Sequence, residues 1–212
     1  MPRHIDTHSG FSAKWIVLGV IVALALVIGG SCASKYNRLV SLDQGVKAQW
    51  AQVQNAYQRR ADLIPNLVET VKGAAKFEKE TYVAVSEARA RANQATAMTT
   101  TGDPTTDAGK LREFEAAQNN LTSQLSRLMV VVERYPDLKA TQGFRDLQAQ
   151  LEGTENRITV ERQRFNEAAQ QFNTVRDSFP MNLFAGFFGS RFAEKTFFTA
   201  QAGAEHPPKV QF

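Results

Sequence analysis

The stretch FRDLQAQLEGTENRITVERQRFNEAAQQFNTVRDSF, residues 144–179, places a large apolar side chain at every seventh position. The repeat consists of Phe144, Leu151, Ile158, Phe165, Phe172 and Phe179. Recurrence at three, four and seven residues is typical of a helix that buries one stripe against neighbouring helices, whereas a half-buried strand alternates every second residue. The stretch therefore predicts a long helix of an all-α bundle with coiled-coil-like packing.

Two earlier segments, residues 46–64 and 111–135, show the same period. A polar loop at residues 98–109 separates helices, and Asp107 is suited to cap the helix that follows it. The uncertain position is Pro65, which interrupts a heptad pattern that otherwise continues to Val85. A kinked single helix and a tight reversal both fit this interruption.

Helix lengths favour a reversal at Pro65. One helix over residues 41–97 would be about 85 Å long, and a following helix of about 28 residues would cover only half of its apolar stripe. If the chain reverses there, Asp62 can cap the new helix and Pro65 occupies its first turn. We therefore predict an antiparallel four-helix bundle of long helices over residues 35–180 rather than a three-helix arrangement.

An uncharged run, WIVLGVIVALALVIGGSCAS, occupies residues 15–34 after a short flank at residues 1–14. As a helix it would be roughly 30 Å long, the thickness of a hydrocarbon core. It predicts an N-terminal transmembrane anchor; a cleaved secretory signal is the alternative, although its apolar region is usually shorter. Cys32 lies at the end of this run, where lipidation or a plain buried thiol both fit.

Phenylalanine is concentrated at the carboxyl end, since eight of the fourteen lie in residues 179–212. An even number of antiparallel helices would return the tail, residues 181–212, to the membrane surface. We expect its rings to contact the membrane interface or a partner; folding onto its own bundle is the alternative. The rings concerned are Phe184, Phe187, Phe188, Phe192, Phe197 and Phe198.

Polar residues beside the apolar stripes form a second candidate group. They are Arg59, Arg60, Asp62, Glu155, Asn156, Glu161 and Arg162. Polar groups at heptad core positions commonly fix the register of a bundle, so we interpret this set as a structural polar network rather than a binding site.

Catalytic and metal-dependent functions have little support in the sequence. With Cys32 as its one cysteine, the chain cannot form an intramolecular disulfide or a cysteine cage for a metal. The histidines, His4, His8 and His206, all lie near the termini, which leaves the bundle without a Ser-His-Asp triad or Glu-x-x-His pairs. The net charge of +4 is dispersed and gives weak support for nucleic-acid binding. We expect no enzyme activity, no cofactor and no nucleic acid.

Several motifs resemble the bacterial LemA family, over nearly all of residues 36–212. The most specific is RRADLIPNLVETVKG at residues 59–73, supported by Glu87-Ala88-Arg89-Ala90 and by Phe179-Pro180 with Asn182-Leu183. The chain departs from the family pattern at residues 73–77, Gly-Ala-Ala-Lys-Phe, where many relatives have an aromatic residue and a histidine.

The resemblance implies a single-pass protein of the bacterial inner membrane, carrying a helical bundle without established catalytic activity. We favour an extracytoplasmic bundle because short N-termini commonly stay inside, although the flanking charges do not decide the orientation. One hypothesis is a scaffold or adaptor that serves a membrane protein, for which the resemblance suggests an HtpX-type metalloprotease, or that forms homo-oligomers in the cell envelope. The other is an envelope or lipid-remodelling protein whose tail inserts into the bilayer.

Overall fold

The computed structural model describes residues 10–73, 79–99, 103–179, 181–185 and 191–199, with backbone only at residues 10–14, 25, 28, 184 and 185. Throughout these ranges the regular structure is helical, which confirms the all-α prediction. The helices are α1 (Gly10–Lys72), α2 (Lys79–Met98), α3 (Ala108–Val132), α4 (Pro136–Lys139), α5 (Gln142–Asp177) and α6 (Met181–Ala185).

The amino-terminal part of α1 is long and apolar enough to cross a membrane. Its most apolar window has a mean hydropathy of 2.6, and none of that window is buried within the protein. Side chains such as Trp15, Leu18 and Leu26 are largely exposed, which in water would be unfavourable for so long a run. The same helix then enters the bundle without interruption.

The predicted reversal at Pro65 is wrong, because α1 continues through it to Lys72 and Asp62 caps no helix. A proline inside a helix costs about 3 kcal/mol. Leu67, Val68 and Val71 follow it and are all buried, and each fully buried side chain of this size contributes about 1.5–3 kcal/mol. Their burial outweighs the local cost, so the chain reverses only between α1 and α2.

Four long segments nevertheless run antiparallel: α1, α2, α3 and α5. The Lys72 ammonium lies 5.2 Å from the Tyr82 ring centre, and Gln54 Nε2 donates to Thr99 Oγ1 at 2.8 Å. Since these contacts mark the two ends of α2, the α2–α3 hairpin covers α1 from about residue 54 to Lys72. We call this the distal half of the bundle, because it lies farther from the apolar segment.

The tail covers the other half, which we call the proximal half. Helix α5 has 36 residues and is about 54 Å long, whereas α2 has 20 residues and reaches only about 30 Å. Residues 191–199, the tail segment, lie along the part of α1 and α5 that the hairpin leaves open, beginning near Tyr36 and ending near Trp50. An apolar stripe was correctly expected to need a cover, but the cover is extended chain rather than a fourth helix of equal length.

Helices α3 and α5 each begin directly after a residue whose side chain caps the helix. Asp107 accepts hydrogen bonds from the backbone N–H groups of Gly109 and Lys110, as predicted for the start of α3. Thr141 caps α5 through Phe144 N. These caps fix where the two longest helices after α1 begin.

Candidate functional site

Two asparagines of α5 hold the tail segment by its backbone. Asn173 Nδ2 donates to Lys195 O at 2.9 Å, and its Oδ1 accepts from Lys195 N at 2.8 Å. Asn166 makes the same pair of bonds with Phe198, at 3.0 and 2.9 Å. Each asparagine amide therefore bonds both the backbone N–H and the backbone C=O of one extended residue, as a neighbouring β-strand would.

The two pairs of hydrogen bonds are separated by nearly the same distance along helix α5 and along the extended tail segment. Asn166 and Asn173 are seven residues apart, which is about 10.5 Å along a helix. Lys195 and Phe198 are three residues apart, which is about 10 Å along an extended chain. The tail segment can therefore follow α5 antiparallel without strain, and Arg176 Nε continues the series by donating to Phe192 O at 2.8 Å.

An aromatic pocket receives Phe198. Its ring lies parallel to Trp50 with centroids 5.9 Å apart and meets Phe165 edge-on at 5.3 Å. The Arg162 guanidinium lies 4.6 Å from the ring centre, a favourable cation–π distance. Phe198 therefore joins the core that α1, α3 and α5 share.

Lys195 places a charge inside this core, and its side chain is only 1% exposed. Its Nζ lies 2.7 Å from Asp43 Oδ1 and 4.0 Å from Asp103 Oδ2, and it donates to Thr105 Oγ1 at 3.4 Å. Asp43 is also paired with Lys47 at 2.8 Å. Burial raises the pKa of Asp43, but the hydrogen bonds and charges of Lys195 and Lys47 outweigh that effect and hold the pKa below its usual value.

The tail segment is also joined to the loop between α2 and α3. Thr196 N donates to Thr105 O at 2.8 Å, and Thr196 Oγ1 donates to Pro104 O at 3.0 Å. Together with the ion pair this ties the tail segment to α1, to α5 and to the loop. We call the whole arrangement the tail cradle.

A second buried cation, Arg60, lies at the centre of the distal half. Its guanidinium donates to Thr122 Oγ1 at 2.9 Å, to Glu155 Oε1 at 2.8 Å and to the Gln118 side chain. It also lies 5.1 Å from the Tyr57 ring centre. Arg60 therefore joins α1, α3 and α5, as a register-fixing group would.

Two further polar residues, Arg162 and Glu161, join α5 to its neighbours. Arg162 Nη2 pairs with Glu115 at 2.8 Å and also donates to Thr199 O, so it connects α3 with the tail segment. Burial raises the pKa of Glu115, although the Arg162 charge opposes this. Glu161 accepts from Gln49 Nε2 at 2.9 Å.

A groove of about 530 Å³ lies between α3 and α5 in the distal half. Apolar side chains of Leu125, Met129 and Leu151 line it, with Glu152 and Asn156 among its polar residues. Arg60 lies beneath it, bonded to two of the lining residues, Thr122 and Glu155. We call this the distal groove; the tail segment does not line it, whereas residues of the tail segment do line a second concavity beside the start of α3.

The predicted tail contacts need a correction. Phe192 and Phe198 are buried in the bundle's own core, so they face neither lipid nor a partner, because α5 and α1 offer them aromatic pockets. Phe197 is 41% exposed. The Phe184 side chain, Phe187 and Phe188 lie outside what the structure describes.

The predicted polar network is divided into separate contacts. Arg60 and Glu155 pair directly, whereas Glu161 and Arg162 make the separate contacts given above. Three members point outward: Arg59 and Asn156 are exposed, and Asp62 accepts from Gln58 on the surface of α1. Sequence reasoning missed Asp43, Lys195 and the two asparagines; the seven-residue spacing of the asparagines beside the phenylalanine stripe was the available signal.

An antiparallel helical bundle that follows a long apolar helical segment, and whose extended tail completes the core, is the class of protein that these features define. The chain belongs to the LemA family, whose model matches residues 49–212, and this confirms the resemblance. Within the described ranges, no group of three or more His, Cys, Asp or Glu could hold a metal ion.

Three magnetosome proteins are among the relatives of this chain. The chain is 25% identical over 191 residues to each of MamQ 1 and MamQ 2 of Paramagnetospirillum magneticum, covering 84% of this chain and 68% of either relative. It is 22% identical over 192 residues to MamQ of Magnetospirillum gryphiswaldense, covering 84% of this chain and 71% of that protein. The apolar segment and the family together indicate a membrane-associated helical protein.

Proposed function

We propose that the protein is a noncatalytic scaffold of the bacterial inner membrane, anchored by a single pass, that presents the distal groove to another membrane protein. The observation that carries this proposal is an open, partly apolar groove at the far end of a bundle whose proximal half is closed by its own tail. The continuous helix α1 keeps the bundle at a defined distance from the anchor.

The height of the groove limits what can bind there. Arg60, beneath the groove, follows Ser34 by 26 residues of continuous helix, which is about 39 Å. A partner must therefore extend a soluble segment about that far from the bilayer. The family resemblance suggests an HtpX-type metalloprotease as the partner, and a second copy of this chain is the other candidate. Magnetosome proteins among the relatives are consistent with a role in organising a membrane system.

Site-specific photocrosslinking in intact membranes tests this proposal. A photoreactive amino acid replaces Ser126 in the groove, and a matched variant carries it at Asn66, an exposed position at a similar height on α1. We expect a discrete crosslinked product from position 126 and none from position 66. The same products from both positions, or none from either, would show that the groove is not a docking surface.

The competing proposal, remodelling of lipid by insertion of the tail, includes Phe192 and Phe198 among the inserting side chains. Their burial beside Tyr36, Trp50 and Phe165 opposes this. We therefore favour the scaffold.

A further inference from the structure

Two large apolar side chains are exposed where α5 meets α6. Phe179 is 77% exposed and Leu183 is 60% exposed, on either side of the buried Met181. Phe179 continues the seven-residue repeat after Phe172, so it was expected on the buried stripe. That expectation is wrong because α5 ends at Asp177 and the backbone becomes extended at Ser178, which ends the helical face.

The antiparallel pairing of α5 with α1 gives the height of this corner. Trp50 lies against Phe165, so Ser178, thirteen residues farther along α5, is level with position 37 of α1. The Gln49–Glu161 contact gives position 32 by the same reasoning. The uncharged run of α1 ends at Ser34, within this interval. Phe179 and Leu183 therefore lie at the level where α1 leaves the hydrocarbon.

Packing supports this height. Helix α6 contacts both α1 and α5, and Met181 belongs to the same core cluster as Leu39, with Tyr36 packed against it. The corner is thus fixed beside the point where the anchor emerges, and it is not free to swing upward along the bundle.

The charges at this level are mainly positive. Lys35 and Arg38 on α1 and Arg191 at the start of the tail segment are exposed. The nearby carboxylate of Asp177 is paired with Arg176. Basic residues at the edge of a bilayer attract anionic headgroups.

We propose that the α5–α6 corner is a second membrane contact, in which Phe179 and Leu183 enter the interface of an anionic bilayer beside the anchor. Protein contacts with the membrane interface typically combine large apolar side chains at headgroup depth with basic residues around them. The contact goes beyond the scaffold proposal and depends only on α1 spanning the membrane. It would hold the bundle at a fixed angle to the bilayer rather than on a single pivot.

Fluorescence quenching of the full chain in lipid nanodiscs tests this contact. In a Cys32→Ser background, the polarity-sensitive dye NBD is attached at Leu183→Cys, and a matched variant carries it at Val130→Cys, which is 65% exposed at the other end of the bundle. The discs contain phosphatidylcholine with about one third phosphatidylglycerol, an anionic lipid. Quenchers are a nitroxide attached to lipid near the headgroup and iodide in the water.

We expect the dye at position 183 to be quenched by the lipid nitroxide several-fold more than the dye at position 130, and to be less accessible to iodide. Phe179→Asp should reduce that lipid quenching several-fold without altering thermal unfolding. Equal quenching at positions 130 and 183 would overturn the proposal. Protection from iodide without lipid quenching would also overturn it, because a protein, such as a second copy, would then cover the corner. If the lipid quenching at position 183 were equal in discs with and without phosphatidylglycerol, the claim that the contact needs anionic lipid would be wrong.

Discussion

The buried pair of Asp43 and Lys195 allows a quantitative test of how the tail is held. Asp43→Asn leaves the Lys195 ammonium at 1% exposure, with the next carboxylate, Asp103, 4.0 Å away. Breaking a buried pair in this way costs about 3–5 kcal/mol. Lys195→Met should cost less, about 1–3 kcal/mol, because Asp43 keeps Lys47, which is 49% exposed.

The double variant Asp43→Asn/Lys195→Met has no unpaired buried charge. We therefore expect its loss of stability to be smaller than the sum of the two single losses by at least about 1 kcal/mol. Acid should act in the same direction as Asp43→Asn. The folded-state pKa of Asp43 is lowered, so its contribution is complete above the unfolded pKa of about 3.9 and is lost as the pH falls through the folded value.

Urea unfolding of the full chain in a mild nonionic detergent measures these free energies. Urea is uncharged and does not screen the ion pair. In a Trp15→Phe background, the fluorescence of Trp50 reports on the tail cradle, since its ring stacks on Phe198. Additive single losses, or a greater loss for Lys195→Met than for Asp43→Asn, would refute the description of Lys195 as a charge neutralised chiefly by Asp43.

Three further predictions use the same unfolding assay. Phe198→Ala should lower the free energy of unfolding by about 3–5 kcal/mol, whereas Phe197→Ala, at a 41% exposed position, should lower it by less than about 1 kcal/mol; similar losses would contradict the burial of Phe198. Pro65→Ala should raise stability by about 1–3 kcal/mol because α1 continues through this position, and a loss would indicate a turn there. Asp107→Ala should cost about 1 kcal/mol by removing the cap of α3, and an unchanged stability would argue against that cap.

Side-chain periodicity predicted the helices well. The side of a helix on which a residue lies follows from its place in the seven-residue repeat, so the buried side can be identified from the sequence. The repeat from Phe144 to Phe172 identified residues that are all buried in α5. It gave no sign of where α5 ends, so it wrongly included Phe179. Pro65 was misjudged for a related reason: its local preference is visible in the sequence, whereas the buried contacts that keep α1 continuous are tertiary.

The tail cradle could not be predicted from periodicity, because side chains of α5 hydrogen-bond to the backbone of the tail segment and not to its side chains. Backbone N–H and C=O groups are the same at every residue, so the sequence of residues 191–199 does not reveal which of them will be bound. Asn166 and Asn173 were visible, but a polar residue beside an apolar stripe also fits a solvated face. Only the hydrogen bonds to Lys195 and Phe198 in the folded structure distinguish the two.

The extended form of the tail segment explains the polar residues that α5 carries beside its stripe. A helix would satisfy its own backbone but would need about 20 residues to cover 30 Å, whereas nine extended residues cover the same length. Extended chain leaves its backbone groups unpaired, and each one buried without a partner costs about 1–3 kcal/mol. Asn166, Asn173 and Arg176 supply those partners. The short cover therefore depends on these polar residues of α5, which supply the hydrogen bonds that an extended backbone cannot make within itself.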